Sequence, residues 1–167
     1  MTNKLRQINE YAYLGESTIH NKGIFASKKI LLGTKIIQYC GELISKSEGT
    51  RREEASLALA KKDPNRGGTY IFEVDEENDL DGDTENNYAK YANHSCEPNC
   101  EFIVKDKEVW IYSKREINSD EELLVNYGIE WNPKEYFKFP CRCGSPKCVG
   151  YILEEDDWPK LKEYLKK

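Results

Sequence analysis

Four cysteines in two separate stretches of the chain have the residue types and spacing of a metal site. Cys141, Cys143 and Cys148 lie in the segment CRCGSPKC, and Cys96 lies well upstream in the segment NHSC. Four thiolates complete a tetrahedral ligand set of the kind that holds structural zinc, and the CxC spacing without a secretory signal disfavours disulfides. These cysteines therefore predict one structural zinc ion that ties the C-terminal tail to the middle of the chain.

A tyrosine lies between the two halves of this cysteine set. Residues 122–128 read ELLVNYG, a buried type of strand that runs into Tyr127 and a glycine. If the thiolates come together, the chain between them closes around Tyr127, and its side chain can point into a site. The pattern therefore predicts a catalytic or binding pocket beside the metal. The alternative is a core tyrosine at the end of a strand.

The charge of the chain indicates the kind of partner it has. The formal net charge is -5, with acidic residues concentrated at 75–83 and 154–157. This charge argues against nucleic acid as the main partner and favours a basic peptide. Taken alone, each acidic run is expected to be a solvated loop. No stretch has the ~20 apolar residues that span a bilayer, so we expect no membrane association.

The distribution of apolar residues predicts a mostly β protein. At 167 residues, 38% of them hydrophobic, the chain suits one compact domain with a small tail. Asp106 and Lys107 predict a hairpin turn, and 47–61, 88–92 and 158–165 have helical patterns, the last with ends that fray. Segments rich in β-branched and aromatic residues predict strands at 23–26, 34–39, 69–74, 100–104, 108–112 and 123–127.

Six motifs occur in an order that resembles one family. They are KGIFA at 22–26, YCGE at 39–42, YIFE at 70–73, NHSCEPNC at 93–100, EELLVNYG at 121–128 and the final CxCx4C segment. In this order they resemble the SET-domain protein lysine methyltransferases that carry a post-SET zinc module. The likeness covers residues 19–152, and nothing in residues 1–19 resembles the pre-SET cysteine cluster of larger members.

The resemblance implies a fold and a division of the chain. The fold would be a SET fold of several small sheets with short helices and a pseudoknot near the active site. The SET domain would cover residues 10–130, a post-SET zinc module 131–155, and a C-terminal helix 156–167.

The resemblance also implies a reaction, which is methyl transfer from S-adenosylmethionine to a lysine amine. Making that amine neutral costs ~4 to 5 kcal/mol at neutral pH, because the pKa of lysine is ~10.4. An aromatic channel that excludes water would favour the neutral amine. Matching the motifs assigns the catalytic channel to Tyr127, Tyr39 and Phe102, with the Tyr127 hydroxyl orienting the amine.

The cofactor residues follow from the same match. In the family, the main chain of a glycine-containing loop runs along the methionine part of the cofactor. The Asn–His pair of the NHSC segment holds the adenosine part. One glycine of that loop is absent here, with Asn21 or Lys22 in its place, and Lys90 stands where the family commonly has arginine. The cofactor-binding positions implied by the match are Lys22, Gly23, Ile24, Tyr70, Asn93 and His94.

Partners and alternatives complete the expectations. The substrate would be a basic protein such as a histone tail, bound as an extended strand along residues 51–78 and the tail. We expect a monomer with no direct nucleic acid contact, nuclear in a eukaryote and cytoplasmic or host-delivered in a bacterium. The alternative function is a non-catalytic SET-fold module that binds peptides. A zinc hydrolase is disfavoured, because the metal ligands are all thiolates.

Overall fold

The computed structural model describes residues 3–62 and 68–166. Within these residues the chain forms short strands and few helices, as expected for a mostly β fold. The strands are β1 (Lys4–Gln7), β2 (Ala12–Glu16), β3 (Lys22–Ala26), β4 (Lys35–Tyr39), β5 (Glu42–Ser45), β6 (Ile71–Glu73), β7 (Asn78–Asp81), β8 (Asn93–His94), β9 (Cys100–Lys105), β10 (Glu108–Ser113) and β11 (Leu124–Val125). The α-helices are α1 (Lys46–Ala60) and α2 (Trp158–Tyr164), and 3-10 helices span Tyr88–Tyr91, Tyr136–Lys138 and Glu155–Asp157.

The strands of the described residues pair into several small sheets. Three of these sheets are antiparallel, in the orders β1-β2-β3, β4-β10-β9 and β5-β7-β6, and β8 pairs with β11 in parallel. Asp106 and Lys107 form the predicted hairpin turn between β9 and β10, and both have positive φ, 52° and 64°. Successive left-handed residues match the twist of a tight hairpin. The expected fold class is therefore confirmed.

The core lies between the sheets and follows the alternation of the strands. In β10, Val109 and Ile111 are fully buried, and the side chains between them are partly exposed. Ile24 of β3 and Val125 of β11 are also fully buried and belong to the same cluster. The strand β3 contains the candidate residues Lys22 and Gly23, and Tyr127 follows β11. Because both strands are anchored in the core, the core sets the positions of these residues.

The expectation of a solvated loop at 75–83 is wrong for residues 78–81, whereas residues 75–77 form a bend in which Glu76 and Glu77 are exposed. Residues 78–81 form β7, the central strand of its sheet. Asp79 is only 7% exposed and accepts from Lys46 Nζ at 2.8 Å. Asp81 accepts from Arg52 Nη1 at 2.7 Å. The carboxylates can lie in a sheet because α1 supplies a cation to each of them.

The second acidic run is also partly structural. Asp157 is 8% exposed, and it accepts from the Trp131 main-chain N–H at 2.7 Å and from Lys160 Nζ at 2.6 Å. It therefore joins the start of the tail to α2. Leu161 of α2 is 1% exposed, so this helix is anchored by its apolar face and not only by its neighbours in sequence.

The N-terminal residues form strands that the sequence pattern did not predict. In β2, Ala12, Tyr13, Leu14 and Gly15 are all buried. This strand pairs with β3 from Ala12 opposite Ala26 to Glu16 opposite Lys22. The neighbouring strand therefore supports the loop and strand that carry Gly23. In the part of the chain that the structure describes, no helix is long and apolar enough to cross a membrane.

Candidate active site

The site lies where β8 and β11, which are distant in sequence, pair in parallel, and we call this pair the crossing. Asn93 lies opposite Leu124 and His94 opposite Val125. After this crossing, the main-chain N–H of Tyr127 donates to His94 Nδ1 at 3.3 Å, and the two rings lie 5.4 Å apart. The fold thus brings Asn93, His94 and Tyr127 together, as the motifs predicted.

A buried asparagine fixes this crossing. Asn99 is 1% exposed, and its Oδ1 accepts from the Leu124 main-chain N–H at 2.8 Å. Its Nδ2 donates to the Glu122 carbonyl at 2.8 Å. Asn99 therefore satisfies the two main-chain groups that flank Leu123, which are the Glu122 carbonyl and the Leu124 N–H. Its place in NHSCEPNC was the available signal, and the sequence analysis did not assign it a role.

Tyr127 has a buried hydroxyl and an exposed ring. The residue is 45% exposed, yet its hydroxyl turns inward and donates to the Ala92 carbonyl at 3.0 Å. Burial raises the pKa of this phenol above its usual value, and the side chain is neutral at physiological pH. The exposed ring and the held hydroxyl suit a residue that forms the wall of a ligand site.

Tyr39 and Phe102 lie together in a group of rings. The Tyr39 hydroxyl donates to the Tyr70 carbonyl at 2.8 Å, and burial raises its pKa. Phe102 meets Tyr39 edge-on with ring centroids 6.0 Å apart, and it meets Phe72 at 4.9 Å. Phe72, which also packs against the core, therefore belongs to the same aromatic wall.

Gly82 makes room for the Tyr39 ring. A Cβ at this position would lie less than 3.0 Å from Cε1, Cζ and the hydroxyl oxygen of Tyr39. The Gly82 carbonyl accepts from buried Asn87 Nδ2 at 2.9 Å, and Asn87 Oδ1 accepts from the Cys40 N–H. The glycine and its hydrogen-bonded neighbours therefore hold Tyr39 in place.

The candidate cofactor loop is tied to the crossing through Asn93. Its Nδ2 donates to the Lys22 carbonyl at 2.9 Å and to Glu122 Oε1 at 2.8 Å. A Cβ at Gly23 would lie less than 3.0 Å from Glu122 Oε1, so glycine lets the carboxylate keep this position over the loop. Asn21 has a φ of 37°, a left-handed conformation that asparagine tolerates. The departure from the family pattern at this position is thus accommodated.

Of the remaining predicted cofactor residues, Ile24 adjoins this loop and Tyr70 lies beside Lys90. The Ile24 side chain is fully buried in the core, and its carbonyl accepts from the Leu123 N–H at 2.7 Å. Lys90 is mostly buried along its side chain, and its Nζ lies 5.3 Å from the Tyr70 ring and donates to the Thr84 carbonyl at 2.9 Å. Lys90, which stands in place of the family's arginine, therefore lies against the Tyr70 ring.

The four predicted cysteines come together. Their Sγ atoms all lie within 4.8 Å of one another, and those of Cys96 and Cys141 are 3.8 Å apart. Around a tetrahedral ion with metal–sulfur bonds of ~2.3 Å, neighbouring sulfurs lie ~3.8 Å apart. The set therefore fits a closed metal site with four thiolates. Burial disfavours the Cys143 thiolate, but backbone N–H groups outweigh it and lower the pKa of this thiol to about 7.

The cysteine cluster is connected to the tyrosine through His94. The Nε2 of His94 lies 3.7 Å from Cys96 Sγ, and its Nδ1 accepts from the Tyr127 N–H. Burial lowers the pKa of this imidazole to about 4, so it is neutral. One neutral ring can accept at Nδ1 and donate at Nε2, and His94 does both between these two groups.

A groove of about 540 Å³ opens beside the cysteine cluster. Its walls include Ser95, Pro98, Leu124 and Gly144, together with Cys143. None of the six predicted cofactor residues lines it, but it begins directly after Asn93 and His94. The groove therefore lies between the segment that follows His94 and the metal-binding tail.

The tail has a second anchor that the sequence analysis did not predict. The Tyr136 ring lies 4.7 Å from Tyr151, 5.0 Å from Trp131 and 5.9 Å from Tyr164. Trp131, Tyr136, Tyr151 and Tyr164 form what we call the tail cluster, and it joins the metal-binding segment to α2.

Comparison with known proteins agrees with this geometry. The chain is 34% identical over 154 residues to a protein of Schizosaccharomyces pombe, covering 90% of this chain and 16% of that protein. It is 32% identical to a protein of Saccharomyces cerevisiae, covering 90% of this chain and 14% of the relative. Both relatives are named histone-lysine N-methyltransferase, H3 lysine-4 specific. The chain thus spans about a sixth or less of the length of these relatives. A family model described as SET domain matches residues 21–128, and the chain belongs to the SET domain family.

Proposed function

We propose that this chain is the methyl-transferring domain of a protein-lysine N-methyltransferase that uses S-adenosylmethionine and acts on lysine 4 of histone H3. Membership of the SET domain family and the names of the relatives support this activity and substrate. The observation that carries the proposal is the position of Tyr127, whose inward hydroxyl lies at the crossing beside Asn93 and His94.

The proposed mechanism follows from how the two phenols are held. S-adenosylmethionine, when bound, supplies an electrophilic methyl group on its sulfonium. The Tyr127 and Tyr39 hydroxyls each donate their only proton to a main-chain carbonyl, so they can offer a ligand only lone pairs. Lone pairs accept from the N–H groups of the substrate amine and leave the nitrogen lone pair free to attack. The phenols thereby orient the amine.

The aromatic wall favours the neutral form of the amine. Phe102 and Tyr39 surround the proposed channel with apolar ring surface, which disfavours the lysine ammonium. Burial raises the pKa of both Tyr127 and Tyr39. Neither phenol therefore acquires a negative charge at neutral pH that would stabilise the ammonium. We assign the catalytic roles to Tyr127, Tyr39 and Phe102.

We propose that the cofactor binds along the loop at Lys22 and Gly23, next to the crossing. Main chain at Lys22 and Gly23, with Ile24 behind it, would run along the methionine part. Asn93 and His94 would hold the adenosine, and Tyr70 would make a further contact. The hydrogen bond from Asn93 Nδ2 to the Lys22 carbonyl supports this arrangement, because it holds the loop against the crossing.

The metal is proposed to be one structural zinc ion held by Cys96, Cys141, Cys143 and Cys148. The sulfur separations and the all-thiolate donor set support zinc, which is four-coordinate in such closed sites. A closed site has no open position for catalysis, so the ion would order the tail beside the groove. We accordingly divide the chain into a SET domain at 10–130, a post-SET module at 131–155 and a C-terminal helix at 156–167, whose last residue, Lys167, lies outside the described residues.

We propose that the substrate binds as an extended peptide along the tail and residues 51–78, of which 63–67 lie outside the described residues. A hollow of about 200 Å³ lies between α1 and β6 and reaches Tyr70, next to the aromatic wall. Asp79 and Asp81 are paired with Lys46 and Arg52, so they contribute less to the attraction of a basic peptide than the sequence analysis expected. We also propose a monomer without direct nucleic acid contact. The names of the relatives as histone-lysine methyltransferases support a nuclear location.

The proposal is tested by methyl transfer to a peptide from the N-terminus of histone H3. With labelled S-adenosylmethionine, the chain should methylate this peptide, and a peptide with arginine in place of lysine 4 should remain unlabelled. Tyr127→Phe should lower turnover on the order of 100-fold, because the amine loses its acceptor, while cofactor affinity stays within about twofold. Cofactor and peptide binding without turnover under any condition would instead favour the non-catalytic peptide-binding module.

A further inference from the structure

Glu122 is a half-buried carboxylate to which neither the motifs nor the proposed mechanism assigns a role. Its Oε1 accepts from Asn93 Nδ2 at 2.8 Å, and its Oε2 accepts from Ser17 Oγ at 3.0 Å. Burial raises its pKa, which the two hydrogen bonds only partly oppose. Both donors are neutral.

No cation compensates this carboxylate in the described part of the chain. The ion pairs found among residues 3–62 and 68–166 include Arg115 with the adjacent Glu121, but none with Glu122. A carboxylate has about four acceptor positions, and the two hydrogen bonds use only two of them. A charge in this state attracts a cationic ligand, since a half-buried site screens it less than bulk water does.

The position of Glu122 indicates which part of a ligand it serves. Its Oε1 lies directly over Gly23, in the loop whose Lys22 carbonyl is tied to Asn93. Asn93, which donates to Glu122, lies in the parallel pair that precedes Tyr127, so the carboxylate lies near the proposed reaction centre. Both Nδ2 contacts of Asn93 point into the protein, towards Lys22 and Glu122, which leaves its Oδ1 as the polar atom for a ligand.

We propose that Glu122 is a positioning residue that selects the α-ammonium group at the methionine end of the cofactor. It holds Asn93 with its Oδ1 free to accept from that ammonium, and it supplies the negative charge that the ammonium neutralises. This inference rests on the proposed use of S-adenosylmethionine.

The test is a thermodynamic cycle with two ligands and two proteins. The ligands are S-adenosylhomocysteine and its deamino analogue, in which hydrogen replaces the α-amino group. Glu122→Gln keeps an oxygen acceptor for Asn93 and a polar group for Ser17, but removes the charge. Calorimetry should show about tenfold weaker binding of S-adenosylhomocysteine by this variant, as expected for loss of a charged partner, and nearly unchanged binding of the deamino analogue.

Controls separate charge from structure. Ser17→Ala removes one partner of Glu122 and keeps its charge, so its affinity for S-adenosylhomocysteine should stay within about threefold of the parent value. A Glu122→Gln protein that binds both ligands as the parent does would overturn the inference, and so would an equal loss for both ligands, which indicates a purely structural role. A parent protein that binds neither S-adenosylmethionine nor S-adenosylhomocysteine would contradict the proposed function itself.

Discussion

At the scale of single residues, the site depends on how polar groups are used within the protein. The Tyr127 and Tyr39 hydroxyls donate to the carbonyls of Ala92 and Tyr70, and the Asn93 amide nitrogen donates to Lys22 and Glu122. Each of these groups therefore has a fixed donor direction, and the remaining acceptor atoms are the ones available to a ligand. A site with its acceptors arranged in advance suits cationic or N–H-bearing ligands.

Gly82 gives a test of this arrangement that leaves the tyrosines themselves unchanged. In Gly82→Ala the new Cβ would lie less than 3.0 Å from the Tyr39 ring and hydroxyl, so Tyr39 must move. We expect methyl transfer to fall on the order of 100-fold, because a small displacement at the reaction centre is enough for such a loss. Steady-state kinetics with the histone H3 peptide measures it.

The control is Leu32→Ala, at a surface position that is 70% exposed. This variant should keep turnover within about twofold of the parent, as surface substitutions away from strained positions do. Parent-like turnover in Gly82→Ala would show that Tyr39 does not need its present position.

At the scale of elements, α1 and β7 form one charged unit. Lys46 and Arg52 on one face of the helix pair with Asp79 and Asp81 of the strand. Gly49 lies on the same face, and a Cβ there would lie less than 3.0 Å from Asp79 Oδ2. The helix therefore approaches the strand closely only because its first turns contain a glycine.

Gly49→Ala should destabilise the protein although alanine is the better helix former. Helix propensity alone predicts a gain of about 1 kcal/mol from this change. The overlap with the buried Asp79 carboxylate should reverse the sign and give a net loss of about 1 to 3 kcal/mol, as overpacked sites do. Urea unfolding followed by circular dichroism measures the difference.

Glu54→Ala, at an exposed position of the same helix, should change the free energy of unfolding by no more than about 0.5 kcal/mol. If Gly49→Ala were instead more stable than the parent, the close approach of α1 to Asp79 would not constrain the fold.

These elements also explain how far the sequence predicts the structure. Local patterns identified β10 and the Asp106–Lys107 turn, because alternation and turn chemistry depend on neighbouring residues. The strand β7 was missed, because the cations that allow Asp79 and Asp81 into a sheet lie on α1, far away in sequence. The strand β2 was missed for a similar reason, since its burial depends on pairing with β3.

The site was predictable to the extent that motifs contain its residues. Cys96 and the three tail cysteines were identified from ligand type and spacing, and the structure brings their sulfurs together. Asn99 and Glu122 were not assigned roles, because their functions appear only when partners from other segments are in place. Composition and spacing carry no information on such partners.

At the scale of the whole molecule, the C-terminal tail is held at two places of different chemistry. The cysteine cluster joins it to Cys96 beside the crossing. The tail cluster of aromatic rings joins it to α2, whose Leu161 is almost fully buried. The segment between Cys141 and Cys148 has few buried residues of its own, so its order should depend on the metal, whereas that of α2 should not.

Metal removal should therefore loosen the tail in one part only. A bound structural zinc contributes an apparent ~10 to 16 kcal/mol, far more than other contacts of such a short loop provide. In Cys143→Ser we expect loss of the metal, loss of methyl transfer, and faster amide hydrogen exchange at 141–150, with protection in α2 retained. Elemental analysis and exchange mass spectrometry measure these changes together.

Cys40→Ser, which alters a cysteine outside the cluster, should keep one metal ion per chain. A metal-free protein with full activity and unchanged exchange at 141–150 would refute the idea that the thiolates order the wall of the site.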